Sequence, residues 1–425
     1  MDDLLLQARS FVGLFALAGI AWLLSPKKKF PIFLFAGAVG LQLLIAWLLY
    51  ALPPFRAFLA SLTGVVAVLQ EVTNEGAQFV FGYLAGSEAP WVTDPAGGSG
   101  FLFAFQALPM VIVLSALSAL LWRWRILEVL VRGFAYAFQR LLNLSGSASL
   151  GAAANIFLGM TESPVLIRPR LPDMTRSDLF LIMTVGFSTV AGSVMALYVS
   201  QLSSVLEGAA GHIFTASLIS VPAAVLLSRI MMPAEPQGEQ HRLKEKVPTQ
   251  IYHSSMDALT TGVSDGIRLY FNIIFMLLVF TSLVALVNVL LGLFPDVFGG
   301  PLTADRILGW LFAPIVWLAG IPWSEATTAG SIMGLKTALN EVYAYDQLAQ
   351  TGDALSDRSR LIMTYAVCGF ANFSSVGILT GGLVAIAPSR REDILQLAPR
   401  ALISGTLATL MTGAAVGALP QSLFG

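Results

Sequence analysis

The most informative stretch of this chain reads Gly334-Leu335-Lys336-Thr337-Ala338-Leu339-Asn340-Glu341-Val342-Tyr343-Ala344-Tyr345. It sets Lys336, Asn340 and Glu341 within two helical turns of a sequence that is otherwise strongly apolar. A charged or amide side chain at membrane depth costs several kcal/mol, so it must face protein, water or a ligand. We therefore expect this stretch to lie inside a membrane protein and to contribute to a polar site.

The composition of the whole chain supports this interpretation. Its 425 residues are 56% hydrophobic and only 12% charged, whereas soluble domains carry about 25% charged residues. Apolar runs of about 20 residues recur along the chain, which indicates spanning helices and not the short alternating strands of a β-barrel. The net charge of −1 gives no sign of a nucleic-acid partner, and one cysteine with three scattered histidines excludes a disulfide and a cysteine-rich or haem-type metal site.

The apolar runs predict about eight transmembrane helices. Seven of them have the approximate ranges Phe11–Leu24, Phe30–Leu52, Phe101–Trp122, Leu179–Ser200, Ile213–Met232, Leu361–Ile386 and Ala401–Leu419. The eighth is a long span that ends at Leu293 and follows an amphipathic stretch from Ile251. The intervening stretch up to Gly100 is mixed in polarity, and the segments at 123–144 and 302–320 have the apolar and basic spacing of interfacial helices. Two further segments, 147–171 and the stretch that begins at Trp323, are too broken for ordinary spans. These two are expected to form re-entrant helix–break–helix hairpins.

A hydrophilic segment, residues 233–250, divides the chain and is expected to be a cytoplasmic linker. The predicted organisation is N-terminal transmembrane helices at 1–100, a first repeat at 101–232, the linker, and a second repeat at 251–425. Lysines and arginines concentrate in the loops that this topology places on one side, and Arg56, Arg358 and Arg360 are among the few on the other. By the positive-inside rule the rich side is cytoplasmic, so both termini are predicted to lie on the outer side of the membrane.

The two halves share an internal repeat. Leu181-Ile182-Met183-Thr184 recurs as Leu361-Ile362-Met363-Thr364, and Glu162 and Glu341 precede the two copies by nearly equal distances. The loop charges place the two hairpins on opposite sides of the membrane. Inverted copies of this kind are typical of secondary transporters, whose binding site lies at the midplane between the broken segments. The predicted fold is therefore an all-α integral membrane protein built as an inverted repeat.

Four separated motifs resemble those of the concentrative nucleoside transporter family, and the resemblance extends from about Phe101 to the C-terminus. They are Gly334–Tyr345, Pro322–Glu325, Ser188–Val194 and Cys368–Gly377. In the first of these the chain carries Val342-Tyr343 where the family usually has Phe-Val. The resemblance implies cation-coupled nucleoside import across the plasma (inner) membrane, no cofactor, no enzymatic activity and assembly as a homotrimer.

The resemblance also implies substrate contacts. Glu341, Asn372 and Ser375 would hold the ribose hydroxyls, since a carboxylate accepts from two hydroxyls while an amide and a hydroxyl donate or accept. Small and polar residues around Asn372 and Ser375 are alternatively explained by helix packing.

Four more positions would face the base. Phe370 would present its ring and Val194 an apolar wall, while Thr161 and Glu162 would address the polar edge of the base. Just before these two, the family commonly has Gln and this chain has Met160, so the base preference stays open.

The coupling ion implied by the resemblance is sodium, held by hard oxygen donors. The matching positions are Asn155 and Thr189 through their side chains and Leu158 and Val190 through their carbonyls. Proton coupling is an open alternative, with Glu162 or Glu341 as the titrating group.

Other functions are open but less well supported. A cation-coupled transporter of a nucleobase would not need the ribose contacts, and an intramembrane hydrolase would need a nucleophile–base pair that the sequence lacks. Lys336 is expected to pair with a carboxylate or with hairpin carbonyls and not with the substrate.

Overall fold

A computed structural model describes residues 2–26, 30–88, 101–234 and 251–424, and helices dominate these residues. The predicted linker at 233–250 and the basic cluster Lys27–Lys29 lie almost entirely outside the described residues. The N-terminal part consists of three long helices. These are α1 (Asp2–Leu23), α2 (Ile32–Ala51) and α3 (Pro53–Phe81).

The first repeat adds eight helices of very different length. They are α4 (Phe103–Gln106), α5 (Pro109–Arg123), α6 (Ile126–Leu141), α7 (Gly146–Leu158), α8 (Ser163–Leu166), α9 (Arg176–Ser188), α10 (Gly192–Leu202) and α11 (Ala209–Met231). We call α7 and α8 hairpin 1. The predicted interfacial helix corresponds to α6, which is amphipathic and exposes Ile126, Val129 and Leu130 on its outer face.

The second repeat contains seven helices. They are α12 (Ser255–Leu291), α13 (Ala304–Leu318), α14 (Trp323–Ala338), α15 (Glu341–Gln350), α16 (Asp357–Val367), α17 (Phe373–Ile386) and α18 (Arg391–Gly417). We call α14 and α15 hairpin 2. The order hairpin, broken span, continuous span is therefore the same in α7–α11 and in α14–α18, and the fold is the predicted inverted repeat of an all-α integral membrane protein.

By length and composition, eight helical segments within the described residues could cross a membrane. Three details differ from the sequence expectation. The segment 53–85, assigned no span from the sequence, is a long apolar helix, and the predicted amphipathic stretch and span at 251–293 merge into one helix of 37 residues. The spans predicted at 179–200 and 361–386 are each broken into two short helices.

The two breaks lie close together in the buried part of the molecule. The first runs from Thr189 to Ala191, both in extended backbone conformations. A β-carbon placed on Gly369, in the second break, would lie 2.9 Å from the carbonyl oxygens of Phe187 and Ser188. Only a glycine allows this approach, because a contact below 3.0 Å between a side chain and backbone forces a displacement. The break in one repeat therefore packs on the helix end of the other.

The basic turns that the sequence assigned to one side of the membrane lie together. Arg390 donates to the carbonyl of Met174 at 2.5 Å, and Arg176 forms an ion pair with Asp393 at 3.0 Å. Arg358, assigned to the opposite side, donates to Ser10 Oγ near the start of α1. The turns around Arg176 and Arg390, which the charge pattern placed on one side, are therefore adjacent.

The core is formed by the continuous helices of both repeats. α11 and α18 pack against each other, α9 packs against both, and nearly all of α11 is buried. In contrast, α3 and α12 keep most of their apolar side chains exposed. Exposed apolar faces of this extent are expected to contact lipid or another protein chain.

Candidate functional site

All eight residues predicted to bind the substrate line one cavity between the two hairpins and the broken spans. These residues are Met160, Thr161, Glu162, Val194, Glu341, Phe370, Asn372 and Ser375. They come from hairpin 1, α10, hairpin 2 and the second break with the start of α17. Residues separated by more than 200 positions in the sequence therefore converge at a single place.

Glu341 is the central polar group of this cavity. It is the first residue of α15 and only 5% of its surface is exposed. Its Oε1 accepts a hydrogen bond from the Tyr198 hydroxyl at 2.9 Å, and its Oε2 accepts one from Asn372 Nδ2 at 2.7 Å. The N-terminal end of a helix also favours a negative charge. The carboxylate is thus held in one orientation, with lone pairs left to accept from a ligand.

Asn372 is oriented by the start of α17. Its Oδ1 caps the helix by accepting from Ser375 N at 2.8 Å and from Ser374 Oγ at 2.7 Å. The amide nitrogen is therefore the group that reaches Glu341. Ser375 is buried one turn into the same helix and lines the cavity with its neighbour Ser374.

The side of the cavity formed by hairpin 1 is less polar. Met160 is buried and packs against Gly186 of α9. A β-carbon added to Gly186 would lie 3.0 Å from the β-carbon of Met160. Thr161 is exposed and Glu162 is half-buried at the start of α8. Val194 is buried in α10, whereas the Phe370 ring is half-buried in the second break. This wall can contact a flat aromatic ligand and offers two polar side chains at its edge.

Tyr198 and Asn272 are polar residues at the site that the sequence analysis did not identify. Tyr198 lies one helical turn after Val194 on α10, so its helical spacing alone indicated that it shares the same face. Asn272 lines the cavity from α12 and interrupts a long apolar run, which is the usual sign of an intramembrane polar contact. Tyr198 matters more for the chemistry because it contacts the Glu341 carboxylate directly.

A second cavity lies next to the first and reaches residues 251 and 252, just after the linker. The two cavities share Thr161, Glu162 and Asn272, among other residues. The second is lined further by Tyr252, Asp265 and other residues of α5 and α12. The two cavities are therefore adjacent, and hairpin 1 contributes to both.

The predicted cation ligands lie where the end of α7 meets the first break. Asn155 is fully buried; its Nδ2 donates to Gly151 O at 3.0 Å, and within the described residues its Oδ1 has no hydrogen-bond partner. Thr189 Oγ1 donates to Val185 O at 2.9 Å, which leaves its lone pairs free. Leu158 is the last residue of α7, so its carbonyl has no partner further along that helix.

Contacts between glycines and their neighbours bring these groups close together. A β-carbon on Gly159 would lie 2.6 Å from that of Ala191, and one on Gly192 would lie 3.0 Å from Phe157 O. Ser217 Oγ lies 3.5 Å from the Val190 carbonyl and adds an oxygen that the sequence analysis missed. Across residues 2–26, 30–88, 101–234 and 251–424, no cluster of three His, Cys, Asp or Glu residues could hold a metal. The unpartnered Asn155 Oδ1 and the neutral oxygens of these neighbouring segments are of the hard-donor type that a small cation prefers.

Hairpin 2 is anchored by residues outside the cavity. Glu325, from the Pro322–Glu325 motif, accepts from the Ser356 hydroxyl at 3.1 Å and so ties α14 to the start of α16. Lys336 is fully buried, and its Nζ donates to Thr409 Oγ1 at 2.9 Å and to Ala366 O at 3.5 Å. Lys336 is thus bonded to a hydroxyl of α18 and a carbonyl of α16, away from the cavity.

Comparisons with known families cover most of the chain. Three family sequence models match: "Na+ dependent nucleoside transporter N-terminus" at residues 12–84, "Nucleoside recognition" at 104–205 and "Na+ dependent nucleoside transporter C-terminus" at 212–417. An uncharacterized transporter of Haemophilus influenzae is 36% identical over 96% of both chains. The nucleoside permease NupC of Helicobacter pylori is 35% identical, also over 96% of both chains.

A solved structure shows the same fold. The structure of CNTnw in an inward-facing, substrate-bound state superimposes with a TM-score of 0.87, at 33% identity and over 97% of each chain. At 33% identity the two chains share sequence as well as fold, and the similarity extends beyond the region where the motifs were found. With the family models and the full-length relatives, it shows that this chain belongs to the concentrative nucleoside transporters, a family of integral membrane transporters and not of enzymes.

Proposed function

We propose that this chain imports nucleosides by symport with sodium, and that the cavity between the hairpins is its substrate site. The observation that carries this proposal is the pairing of Glu341 with Tyr198 and Asn372 opposite an apolar wall. A nucleoside has the same division, with a polar ribose at one end and a flat base at the other. A free nucleobase has no hydroxyl groups for Glu341 to accept, which makes it the weaker candidate.

The ribose would bind to hairpin 2 and the start of α17. The Glu341 carboxylate accepts from neighbouring hydroxyls, and such charge-assisted hydrogen bonds contribute about 1.5–3 kcal/mol each. Ser375 and Asn372 complete the polar wall. Because Asn372 already donates to Glu341, both groups are oriented before the substrate binds, which reduces the ordering cost of binding.

The base would lie between Val194, Phe370 and hairpin 1. The half-buried Phe370 ring supplies a stacking surface. Thr161 and Glu162 line the edge of the cavity and would meet the polar edge of the base directly or through water. Met160 offers only a thioether, so we expect purine and pyrimidine nucleosides to bind with affinities within about tenfold, or about 1.4 kcal/mol.

Sodium would bind to Asn155, Leu158, Thr189 and Val190. The support for this assignment is the buried, unpartnered Asn155 Oδ1 at the meeting point of two helix C-terminal ends. Such ends carry partial negative charge and favour a cation. The competing proposal is proton coupling through Glu162 or Glu341. The two hydrogen bonds that Glu341 accepts suit its ionised form, which argues against Glu341 as the proton carrier.

Several broader features belong to the same proposal. The second cavity, which reaches residues 251 and 252 next to the predicted cytoplasmic linker, supports a conformation open to the cytoplasmic side. Both termini would then lie on the outer side, as the loop charges predict. The exposed apolar faces of α3 and α12 support assembly as a homotrimer in the plasma (inner) membrane. The division into 1–100, 101–232, 233–250 and 251–425 describes the N-terminal helices, the two repeats and their linker.

Uptake by proteoliposomes tests the proposal. Labelled uridine uptake is measured with an imposed sodium gradient at equal pH and, separately, with an imposed pH gradient and no sodium. We expect sodium alone to drive accumulation, and adenosine, cytidine and inosine to compete while uracil does not. Accumulation driven only by the pH gradient would replace sodium with protons, and competition by uracil alone would identify a nucleobase transporter.

A further inference from the structure

Lys336 is a buried cation for which the proposed transport mechanism has no role. It lies in the last turn of α14 with no exposed surface, and its Nζ donates to Thr409 Oγ1 and Ala366 O. Thr409 in turn donates to the carbonyl of Thr406, so its hydroxyl oxygen is free to accept from Lys336. Both of these partners are neutral oxygens, and none of the ion pairs among the described residues involves Lys336, although Glu341 attracts it from farther away.

The position of Lys336 corresponds to the proposed sodium site of the first repeat. There, the C-terminal end of α7 in hairpin 1 meets the C-terminal end of α9 at the first break. In the second repeat, the C-terminal end of α14 in hairpin 2 meets that of α16 at the second break, and the Lys336–Ala366 contact joins them. Neither α7 nor α9 has a basic residue in its last turn, whereas α14 has Lys336.

The electrostatic requirement is the same at both places. A helix C-terminal end carries about half a negative charge, so two such ends that meet within the membrane attract a cation. In the first repeat, the buried Asn155 Oδ1 has no hydrogen-bond partner within the described residues. In the second repeat an ammonium group of the protein itself occupies the equivalent junction. A buried charge is costly unless it is compensated, and the two helix ends contribute to this compensation together with the more distant Glu341.

We propose that Lys336 is a tethered cation that does in the second repeat what sodium does in the first. It holds the end of hairpin 2 against the second break and so keeps Glu341 and Asn372 in register for the ribose. Lys336 is therefore a positioning residue, and the second repeat needs no free ion. This proposal rests on the sodium site proposed above.

Two variants separate the charge from the space that Lys336 fills. Lys336→Met keeps a similar length without charge, and Lys336→Asn leaves room and supplies an oxygen donor like Asn155. The purified protein is titrated with sodium at constant ionic strength, with N-methylglucamine as the replacement cation, and its melting temperature is recorded without nucleoside. Uridine affinity is then measured at saturating sodium.

The expected results differ between the variants. In wild type and Lys336→Met, the rise of the melting temperature with sodium concentration should correspond to about one bound ion. In Lys336→Asn it should approach the rise expected for about two ions, because each bound ion adds to the stabilisation. Lys336→Met should lower uridine affinity at least about tenfold. Equal sodium responses in Lys336→Asn and Lys336→Met, or wild-type uridine affinity in Lys336→Met, would overturn the proposal.

Two further variants keep the test decisive. If Lys336→Met does not fold, Thr409→Val removes one acceptor of the ammonium, with Thr409→Ser as its control. Only Thr409→Val should weaken uridine binding, and equal affinities in the two would count against a positioning role. Asn155→Ala tests the first site separately, because loss of the sodium response there supports the proposed function whatever Lys336 does. The double variant Asn155→Ala with Lys336→Asn should regain a one-site response.

Discussion

The Nδ2 atom of Asn372 lies 2.7 Å from Oε2 of Glu341 and joins the tip of hairpin 2 to the start of α17. This bond spans 31 residues of sequence and links α15 to α17, which α16 and the second break separate. Because Tyr198 donates to the other carboxylate oxygen, Glu341 is oriented from two sides. The carboxylate is thus the point at which both repeats contribute to the same group.

Glu341→Gln should abolish or strongly reduce uridine uptake while the protein still accumulates in the membrane. The substitution replaces charge-assisted hydrogen bonds, worth about 1.5–3 kcal/mol each, with neutral ones. It also directs an amide NH₂ at a donor, Tyr198 or Asn372. Uptake and binding in proteoliposomes measure the effect, with the exposed Glu207→Gln as a matched control. Near-normal uridine affinity would remove Glu341 from the site.

Tyr198→Phe should weaken uridine binding by about fivefold, since it deletes one hydrogen bond of about 1 kcal/mol and keeps the ring. The Glu341 carboxylate loses one of its two orienting donors, so the affinity should fall more than the thermal stability. Equilibrium binding and melting curves separate these two effects. Tyr136→Phe, at an exposed position of α6, should leave both unchanged. An equal loss of stability and affinity would make Tyr198 a packing residue only.

Asn155→Ala and Thr189→Val should each raise the sodium concentration needed for half-maximal uptake. Each substitution removes one oxygen from the proposed site, and a cation binds more weakly when it loses an oxygen ligand. The measurement is uridine uptake as a function of sodium, with Ser61→Ala on the exposed face of α3 as the control. An unchanged sodium dependence in both variants would contradict the assigned site.

Met160→Gln should shift the balance between purine and pyrimidine nucleosides and leave recognition of ribose intact. A buried amide favours a base whose polar edge supplies partners for its NH₂ and its oxygen, whereas a thioether requires no hydrogen-bond partner from the base. Competition of labelled uridine by adenosine, cytidine and inosine measures the shift. Met256→Gln, at an exposed position of α12, provides the same substitution away from the cavity. If wild type already selects pyrimidines strictly, Thr161 or Glu162 reads the base without help from Met160.

Gly369→Ala should destabilise the protein by about 1–3 kcal/mol, the usual cost of overpacking a core. Its new methyl group would lie 2.6 Å from Thr409 Cγ2 and 2.9 Å from the carbonyl oxygens of Phe187 and Ser188. Gly377→Ala is the matched control, because its added methyl group would meet nothing within 4 Å. Melting temperatures of the two variants test whether the two helix breaks are in close contact. Equal melting temperatures would show that the breaks are not in close contact.

Much of the fold was predictable because a membrane helix can be recognised from a local run of apolar residues. Apolar runs of the right length indicated the spans, and polar residues within them indicated the hairpins around Glu162 and Glu341. The motifs also identified eight candidate substrate-binding residues, and all eight line one cavity. Hydropathy alone did not indicate where the spans at 179–200 and 361–386 break, because Gly369 is needed there only through its contact with the other repeat.

The sequence by itself therefore determined the membrane class, the inverted repeat, the family and the identity of the candidate site residues. Only the tertiary structure decided which groups meet: Tyr198 with Glu341 across 143 residues, and Lys336 with Thr409 across 73. Lys336 was expected to find a carboxylate or a hairpin carbonyl, and its partners are instead a hydroxyl of α18 and a carbonyl of α16. The physical reason is that periodicity records whether a side chain is buried, whereas its partner depends on how distant helices pack.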